Sequence, residues 1–325
     1  MKKNNILTGL IPTENGCHLG HYIGNIKPII EIQNDVNSFF LIGDLHLISK
    51  KGDSFAFHTN GNDMKSNILL MIAQLLAIGV SPQKTHFYTQ SQIAEYYGTL
   101  IMLLSNHVSF NRIKRLPALK KEDNYNTKFS HYQFPLYQTI DIMSICANQV
   151  VSNYDNKPII EFSNELIKKV NRAYGFSFPK VEFKTGITKQ LVGLDGRKMC
   201  KSYNNYISFM DDPFEIQSKI KKMTSTYSPY GNGELTSIPL LYYSIFNTNK
   251  TEVMEIQSQY SSKKISDLDV KHLLSNKIID FIKPIKVETL ELLNKKDFLL
   301  DILNDGVNKV KDHIIRVKSI NYKYI

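Results

Sequence analysis

Two pairs of basic side chains carry the chemistry this sequence could perform. His18 and His21 stand three residues apart in PTENGCHLGH (residues 12–21), and Lys198 and Lys201 three apart in GLDGRKMCKSYNN (residues 193–205). Residues at that spacing share one face of a helical turn. Two imidazoles at a helix start can therefore donate together to phosphate oxygens, and Gly20 leaves room for a purine or phosphate to come close. The unpaired N–H groups of a helix N-terminus add to such a site. In the second segment Arg197, Lys198 and Lys201 lie on a glycine-hinged loop beside the hydroxyl of Ser202. Lysines on such a loop can close over a polyphosphate and neutralise charge that develops in a transition state. Taken singly, the first segment also reads as a helix start with two surface histidines, and the second as an ordinary basic loop.

The elements around these segments give them a setting. The apolar run 6–10 reads as a buried strand that passes through a Pro/Gly/Asn turn (11–16) into a helix over 19–33, kinked at Pro28. A strand at 38–42, an apolar helix at 64–78 closed by Gly79, a strand at 85–89 and a helix at 95–104 follow. Strands alternating with helices of this length predict an α/β fold, a parallel sheet with crossover helices. Further helices are expected near 113–121, 136–147 and 159–174, then a loop-rich stretch to about 205. From Pro213 the pattern is nearly all helical: 213–223, 238–246, 253–260, 270–293 and 298–319. No repeat or low-complexity segment interrupts it.

With 325 residues, 42% hydrophobic and 22% charged, the chain is long enough for a large core and is neither disordered nor collagen-like. Its net charge of +10 suggests an anionic partner such as nucleic acid or nucleotide, although a composition rich in Asn, Lys and Ile produces the same excess without one. The run 112–128 holds six basic and two acidic residues and reads as a solvated face more readily than as a binding site. Cys17, Cys146 and Cys200 are far apart with no CxxC, so neither a disulfide framework nor a cysteine-ligated metal site is expected. No apolar run approaches the roughly 18–20 residues that cross a bilayer, and the apolar run after MKKNN is too short for a signal-peptide core. A soluble cytoplasmic protein is the expectation. There is no GxxxxGK[ST] phosphate loop.

At these residues the sequence resembles the class I aminoacyl-tRNA synthetases. HLGH (18–21) is similar to the first signature of that class, and KMCKS (198–202) to the second, with Cys200 in place of the usual serine. Within the class the chain most resembles the bacterial tryptophanyl-tRNA synthetases. TGLIPTENGCHLGHYIGNIKP (8–28), IGDLHLIS (42–49), GLDGRKMCKSYNNYI (193–207) and FMDDP (209–213) each look like segments of that family, and the likeness runs over essentially the whole chain. The resemblance implies a Rossmann-like (HUP-type) catalytic domain over 1–210. A helical tRNA-binding domain would occupy 211–325, its last helix packing back on the first. It implies a homodimer that uses ATP, Mg2+, tryptophan and tRNA. By resemblance His18, His21, Lys198 and Lys201 are the catalytic side chains. Ile11, Pro12, Thr13, Gly20, Asn153, Tyr154, Asp155, Met199, Cys200 and Ser202 join His21 and the two lysines around ATP.

FPLYQTIDIMSI (134–145) resembles the family's specificity helix, and Asp141 matches the residue that accepts a hydrogen bond from the indole N–H. Indole is a donor only, so a buried carboxylate is a suitable reader, and a site built on that bond rejects analogues that lack the donor. Gln138, Asn156, Asp44 and His46 complete the expected amino-acid pocket. The chain departs from the family at several of these places. Gln138 stands for a methionine, Asn153 for a glycine, Asn156 for a glutamine, Ile159 for a histidine, and Ile11 for a glutamine found in some members. These departures leave two other readings open: a divergent synthetase that activates tyrosine or another aromatic acid, and a non-catalytic tRNA-binding protein of the same shape.

Overall fold

The computed structural model describes residues 4–51, 64–120, 127–186, 191–227 and 236–321. Five strands, β1 (Asn5–Leu10), β2 (Asn37–Ile42), β3 (Thr85–Thr89), β4 (Gln149–Val151) and β5 (Glu182–Lys184), form one sheet in the order β3-β2-β1-β4-β5. All four pairings are parallel, as the alternation of strand and helix predicts. The chain builds outward from β1 to β2 and β3 on one side, then returns to place β4 and β5 on the other. The crevice at the carboxyl end of β1, between it and β4, is therefore the switch point where open α/β sheets bind ligands.

Alternation along the strands fills two cores. Ile6, Leu10, Phe40, Ile42 and Phe87 face one, under α4 (Met64–Ile78) and α13 (Asp267–Leu293). Leu7, Phe39, Leu41 and Tyr88 face the other, under α5 (Glu95–Ser105), α8 (Phe129–Ser144) and α9 (Lys157–Tyr174). Successive strand side chains point to opposite faces, so a sheet apolar on both faces needs helices on both.

The last helix, α14 (Lys296–Asn321), packs against edge strand β3. Its Leu299, Ile302 and Leu303 enter the first core and its Val307 and Val310 the second. Gly306 lies at the crossing. A Cβ there would stand 1.9 Å from the Phe87 carbonyl oxygen and 2.7 Å from its nitrogen. Only a residue without a side chain lets the helix lie on the unpaired edge and cover it.

Several expected elements are corrected. The helix over 19–33 is three pieces: α1 (Leu19–His21), a π-helical turn (Tyr22–Ile26) and α2 (Lys27–Ile32), with Pro28 in the first turn of α2. The irregularity expected at Pro28 is thus taken up one turn earlier, where the proline ring meets no intact i−4 ladder. The 113–121 helix is split at Leu116 into α6 (Phe110–Lys114) and α7 (Pro117–Lys120), because a residue before proline avoids the helical region. Helix α8 begins seven residues before the expected 136 and carries Pro135 within it. Helix α3 (Asp44–Lys51) and strands β4 and β5 were not expected; three-residue strands are too short to show a period. The remaining helices, α10 (Pro213–Lys221), α11 (Ile238–Phe246) and α12 (Lys250–Ser261), match their expected positions within a few residues.

The middle of the basic run, 121–126, lies outside the described residues. At its start Arg112 is paired with Glu165 on α9 at 2.9 Å, the arrangement of a solvated face.

Candidate functional site

The first motif follows β1 directly. Gly16 N donates to Thr13 O at 3.0 Å, and Asn15 and Gly16 both have positive φ, which turns the chain back toward α1. His18 caps α1: its Nδ1 accepts from Gly20 N at 3.1 Å and His21 N at 3.3 Å. Its proton therefore sits on Nε2, which is left to donate. The His21 ring stacks on His18 at 3.6 Å, and its Nδ1 is sealed from solvent with no partner. Burial holds His18 down to about 3, helped by the positive charge of Lys201. Burial, His18 and Lys201 hold His21 well below the usual 6.5. The surface-histidine reading of this segment is corrected: His18 is only 5% exposed. Burial likewise pushes the neighbouring Cys17 thiol up to about 12, against the pull of Lys201.

The second motif lies against the first. Gly20 N is 3.2 Å from the Met199 sulfur. Behind the loop, Leu19 N donates to Ile207 O at 3.1 Å and Phe209 N to Cys17 O at 3.2 Å, an antiparallel bridge centred on His18 and Ser208. The loop itself is shaped by Asn205, whose amide donates to Asp195 Oδ1 and Lys198 O and accepts from Cys200 N. Lys201 Nζ donates to Thr13 Oγ1 at 2.5 Å, Glu14 O at 2.7 Å and Gly16 O at 2.6 Å. Lys198 is ion-paired with Asp155, and Cys200 Sγ lies 3.0 Å from Ser202 Oγ. Among the described residues no three His, Cys, Asp or Glu side chains are grouped as a metal site.

The residues after β4 close the other wall. Asn153 occupies the space that Gly24 leaves open, Tyr154 is largely exposed and packs edge-on to Phe183, and Asn156 donates to Ser152 Oγ at 2.7 Å. Pro12 is buried and Ile11 half-buried at the end of β1. These residues, with Thr13, Gly20, Met199 and both lysines, thus surround the carboxyl ends of β1 and β4.

A second polar cluster is built on Asp141 of α8, which is 1% exposed. Its Oδ2 accepts from His46 Nε2 at 3.0 Å and Gln90 Nε2 at 3.0 Å; its Oδ1 accepts from Gln90 Nε2 at 3.1 Å and from the Tyr97 hydroxyl. Gln90 Oε1 in turn accepts from His46 N at 3.0 Å. Burial and the Asp141 charge raise the Tyr97 phenol well above its usual 10, so it stays a donor. His46 Nδ1, Tyr88 OH and Gln138 Oε1 are sealed from solvent with no partner. Asp44 does something else: its Oδ1 accepts from Leu45 N and Ser91 N, which ties the end of β2 to the end of β3.

Sequence reading placed Asp141 and His46 in one pocket, and they are in direct contact. It missed Gln90 and Tyr97, which carry no motif of their own. The signal that could have found Gln90 is its place, one residue beyond the carboxyl end of β3. It also missed Gln74 of α4, fully buried, whose Oε1 accepts from Cys17 N at 2.6 Å and anchors the first motif.

The sequence profile of the tRNA synthetases of class I (W and Y) matches residues 1–283 of the chain. The chain is 33% identical over 322 residues to the tryptophan–tRNA ligase of Chlamydia caviae, covering 95% of this chain and 92% of that one. It is 33% identical over 327 residues to that of Borreliella burgdorferi, covering 96% and 90%. The fold is shared with tryptophanyl-tRNA synthetase from Campylobacter jejuni complexed with ADP and tryptophan, at TM-score 0.80 and 23% identity over 98% of each chain. It is shared equally with that from Mycoplasma pneumoniae, at TM-score 0.82 and 20% identity over 98% and 96%.

Proposed function

The chain belongs to the class I tRNA synthetases of the tryptophan and tyrosine group, and on that premise we propose that it activates tryptophan with ATP and transfers it to tRNA. The observation that carries the reading is the contact of the two motifs: Met199 on Gly20, and Lys201 on the 13–16 turn, bring the neutral histidine pair and the two lysines together at the switch point of the sheet.

In the first step a carboxylate oxygen of tryptophan attacks the α-phosphorus of ATP, the bond to the β-phosphate oxygen breaks, and pyrophosphate leaves. A hydroxyl of the terminal tRNA ribose then attacks the acyl carbon, and AMP leaves. Neither step needs a covalent enzyme intermediate, so the protein's task is positioning and charge stabilisation. The chain has the parts for it. Neutral His18 presents an Nε2–H, Gly20 keeps the helix start open, and the His21 Nδ1 is unpaired. Lys201 and Lys198 are held near the turn by a loop that Gly193 and Gly196 can hinge. As pyrophosphate forms, each lysine exchanges its resting partner, the turn for Lys201 and Asp155 for Lys198, for phosphate oxygens. The donor set suits magnesium held mainly by the triphosphate and water, since this ion prefers phosphate oxygens and keeps much of its hydration.

Asp141 is the reader of the side chain, Gln138 with its unpaired amide oxygen a partner for the substrate ammonium, and Asn156, just after β4, a further polar contact for the substrate. Residues 211–325 supply the tRNA-binding surface. We further place the protein in the cytoplasm as a homodimer. Ile48, Met102, Phe110 and Phe129 support a dimer: they are large, exposed and carried by α3, α5, α6 and α8, which pack together. No helix among the described residues is long and apolar enough to cross a membrane.

ATP–pyrophosphate exchange with each of the twenty amino acids tests the reading. Exchange driven by tryptophan alone supports it. A tyrosine-activating enzyme is the second reading, and one feature favours it: a buried carboxylate accepts a phenolic O–H as readily as an indole N–H, and here it already does so from Tyr97.

A further inference from the structure

Asp141 has no free acceptor. A carboxylate offers about four lone-pair sites on two oxygens, and Asp141 receives four donor contacts, two from Gln90 and one each from His46 and Tyr97. An aromatic amino acid whose N–H is read by this carboxylate must displace one of them. The four are not equally held. Gln90 is fixed at both ends, its Nε2 on Asp141 and its Oε1 on His46 N. The His46 ring is packed on Phe134 at 4.6 Å. Tyr97 reaches in from α5, a separate helix, by a neutral hydroxyl whose ring meets Tyr137 edge-on at 5.8 Å.

We propose that Tyr97 is a specificity-determining residue: its phenol occupies the Asp141 acceptor that the donor of the incoming aromatic amino acid takes over. The inference rests on Asp141 as the side-chain reader and goes beyond it. Binding then exchanges one hydrogen bond for another instead of adding one. The carboxylate is never left bare in the empty site, where an unsatisfied buried charge is costly. The exchange also sets an upper limit on selectivity, because an analogue without the N–H leaves the Tyr97 bond intact and forfeits little.

The test compares tryptophan with its isostere carrying sulfur in place of the indole N–H, in the parent and Tyr97→Phe, by steady-state exchange kinetics. In Tyr97→Phe the carboxylate lacks one donor until the indole supplies it. KM for tryptophan should fall several-fold, the change resting on KM rather than kcat. Discrimination against the sulfur analogue should rise about tenfold, the worth of one hydrogen bond to a charged group. Tyr97→Met fills similar space without a hydroxyl and must shift both quantities the same way, which decides the role of Tyr97 even where the phenylalanine variant folds poorly. A parent that discriminates while Tyr97→Phe raises KM or leaves the ratio unchanged overturns the role of Tyr97. A sulfur analogue accepted as well as tryptophan by the parent and by Tyr97→Phe alike overturns the Asp141 reading itself.

Discussion

The backbone N–H of Gly20 lies 3.2 Å from the sulfur of Met199, a contact that spans 179 residues of sequence. It is the seam between the two motifs, and it exists because the Gly20 position has no side chain. A Cβ there would stand 2.9 Å from the Met199 sulfur and 3.0 Å from His18 Cε1. Gly20→Ala should therefore lower ATP–pyrophosphate exchange by at least about tenfold, since small displacements of catalytic groups carry large rate penalties. The flexible thioether can move aside, so the thermal midpoint should shift by no more than about 4 °C. Adding Met199→Ala should recover part of the rate; equal exchange in Gly20→Ala and parent would show that the seam is not needed.

The two lysines should separate binding from chemistry. Lys198→Ala and Lys201→Ala are both expected to slow single-turnover adenylate formation more than they weaken ATP binding, because their phosphate contacts strengthen as pyrophosphate forms. They should differ in stability. The Lys198–Asp155 pair is half exposed and worth about 1 kcal/mol or less. Lys201 ties three acceptors of the 13–16 turn, so only its loss should raise protease sensitivity there. An equal drop in ground-state ATP affinity and in rate would contradict the assignment.

Asp141→Ala should abolish selectivity for tryptophan and destabilise the fold. Three side chains, His46, Gln90 and Tyr97, would be left with buried donors, at about 1–3 kcal/mol each. Urea denaturation reads the stability and exchange kinetics the selectivity; parental tryptophan kinetics in this variant would remove Asp141 as reader.

Acid should loosen the first motif. His18 is buried and His21 half-buried, both neutral, with folded-state values below the ordinary 6.5, about 3 for His18. From pH 6.5 down toward 3 the unfolded chain binds protons that the folded chain excludes. The contribution is complete above pH 6.5 and is lost as pH falls, by up to about 1.4 kcal/mol per pH unit for each histidine. Denaturant midpoints between pH 8 and 5 should show this slope. His18→Asn keeps a capping side chain and should flatten it; an unchanged slope would exonerate His18.

Gly306→Val should detach α14 from β3. The Phe87 backbone cannot yield to a Cβ built 1.9 Å from its oxygen, so overpacking of about 1–3 kcal/mol or more is expected. Hydrogen exchange should show loss of protection along β3 and α14 together, and protection confined to its parental pattern would count against the edge-covering role.

Much of this was legible in the chain itself. Alternating apolar strands and amphipathic helices announce a parallel sheet, because periods of 2 and 3.6 are properties of local sequence. HLGH after β1 and KMCKS on a glycine loop suit phosphate chemistry by residue type, and their occurrence together carries the family resemblance. Short elements escaped, since β4 and β5 have three residues each and derive their structure from neighbours rather than from any period. What only the tertiary structure decided are the partnerships. The pairing of 17–19 with 207–209 makes two motifs one site, and the burial of His18 turns an apparent surface histidine into a neutral cap. The Gln90–His46–Tyr97 ring around Asp141 fixes what that carboxylate has left to offer. Such contacts join residues tens to hundreds of positions apart, and no local propensity encodes them; they follow from which faces the sheet and its helices bring together once the chain has packed.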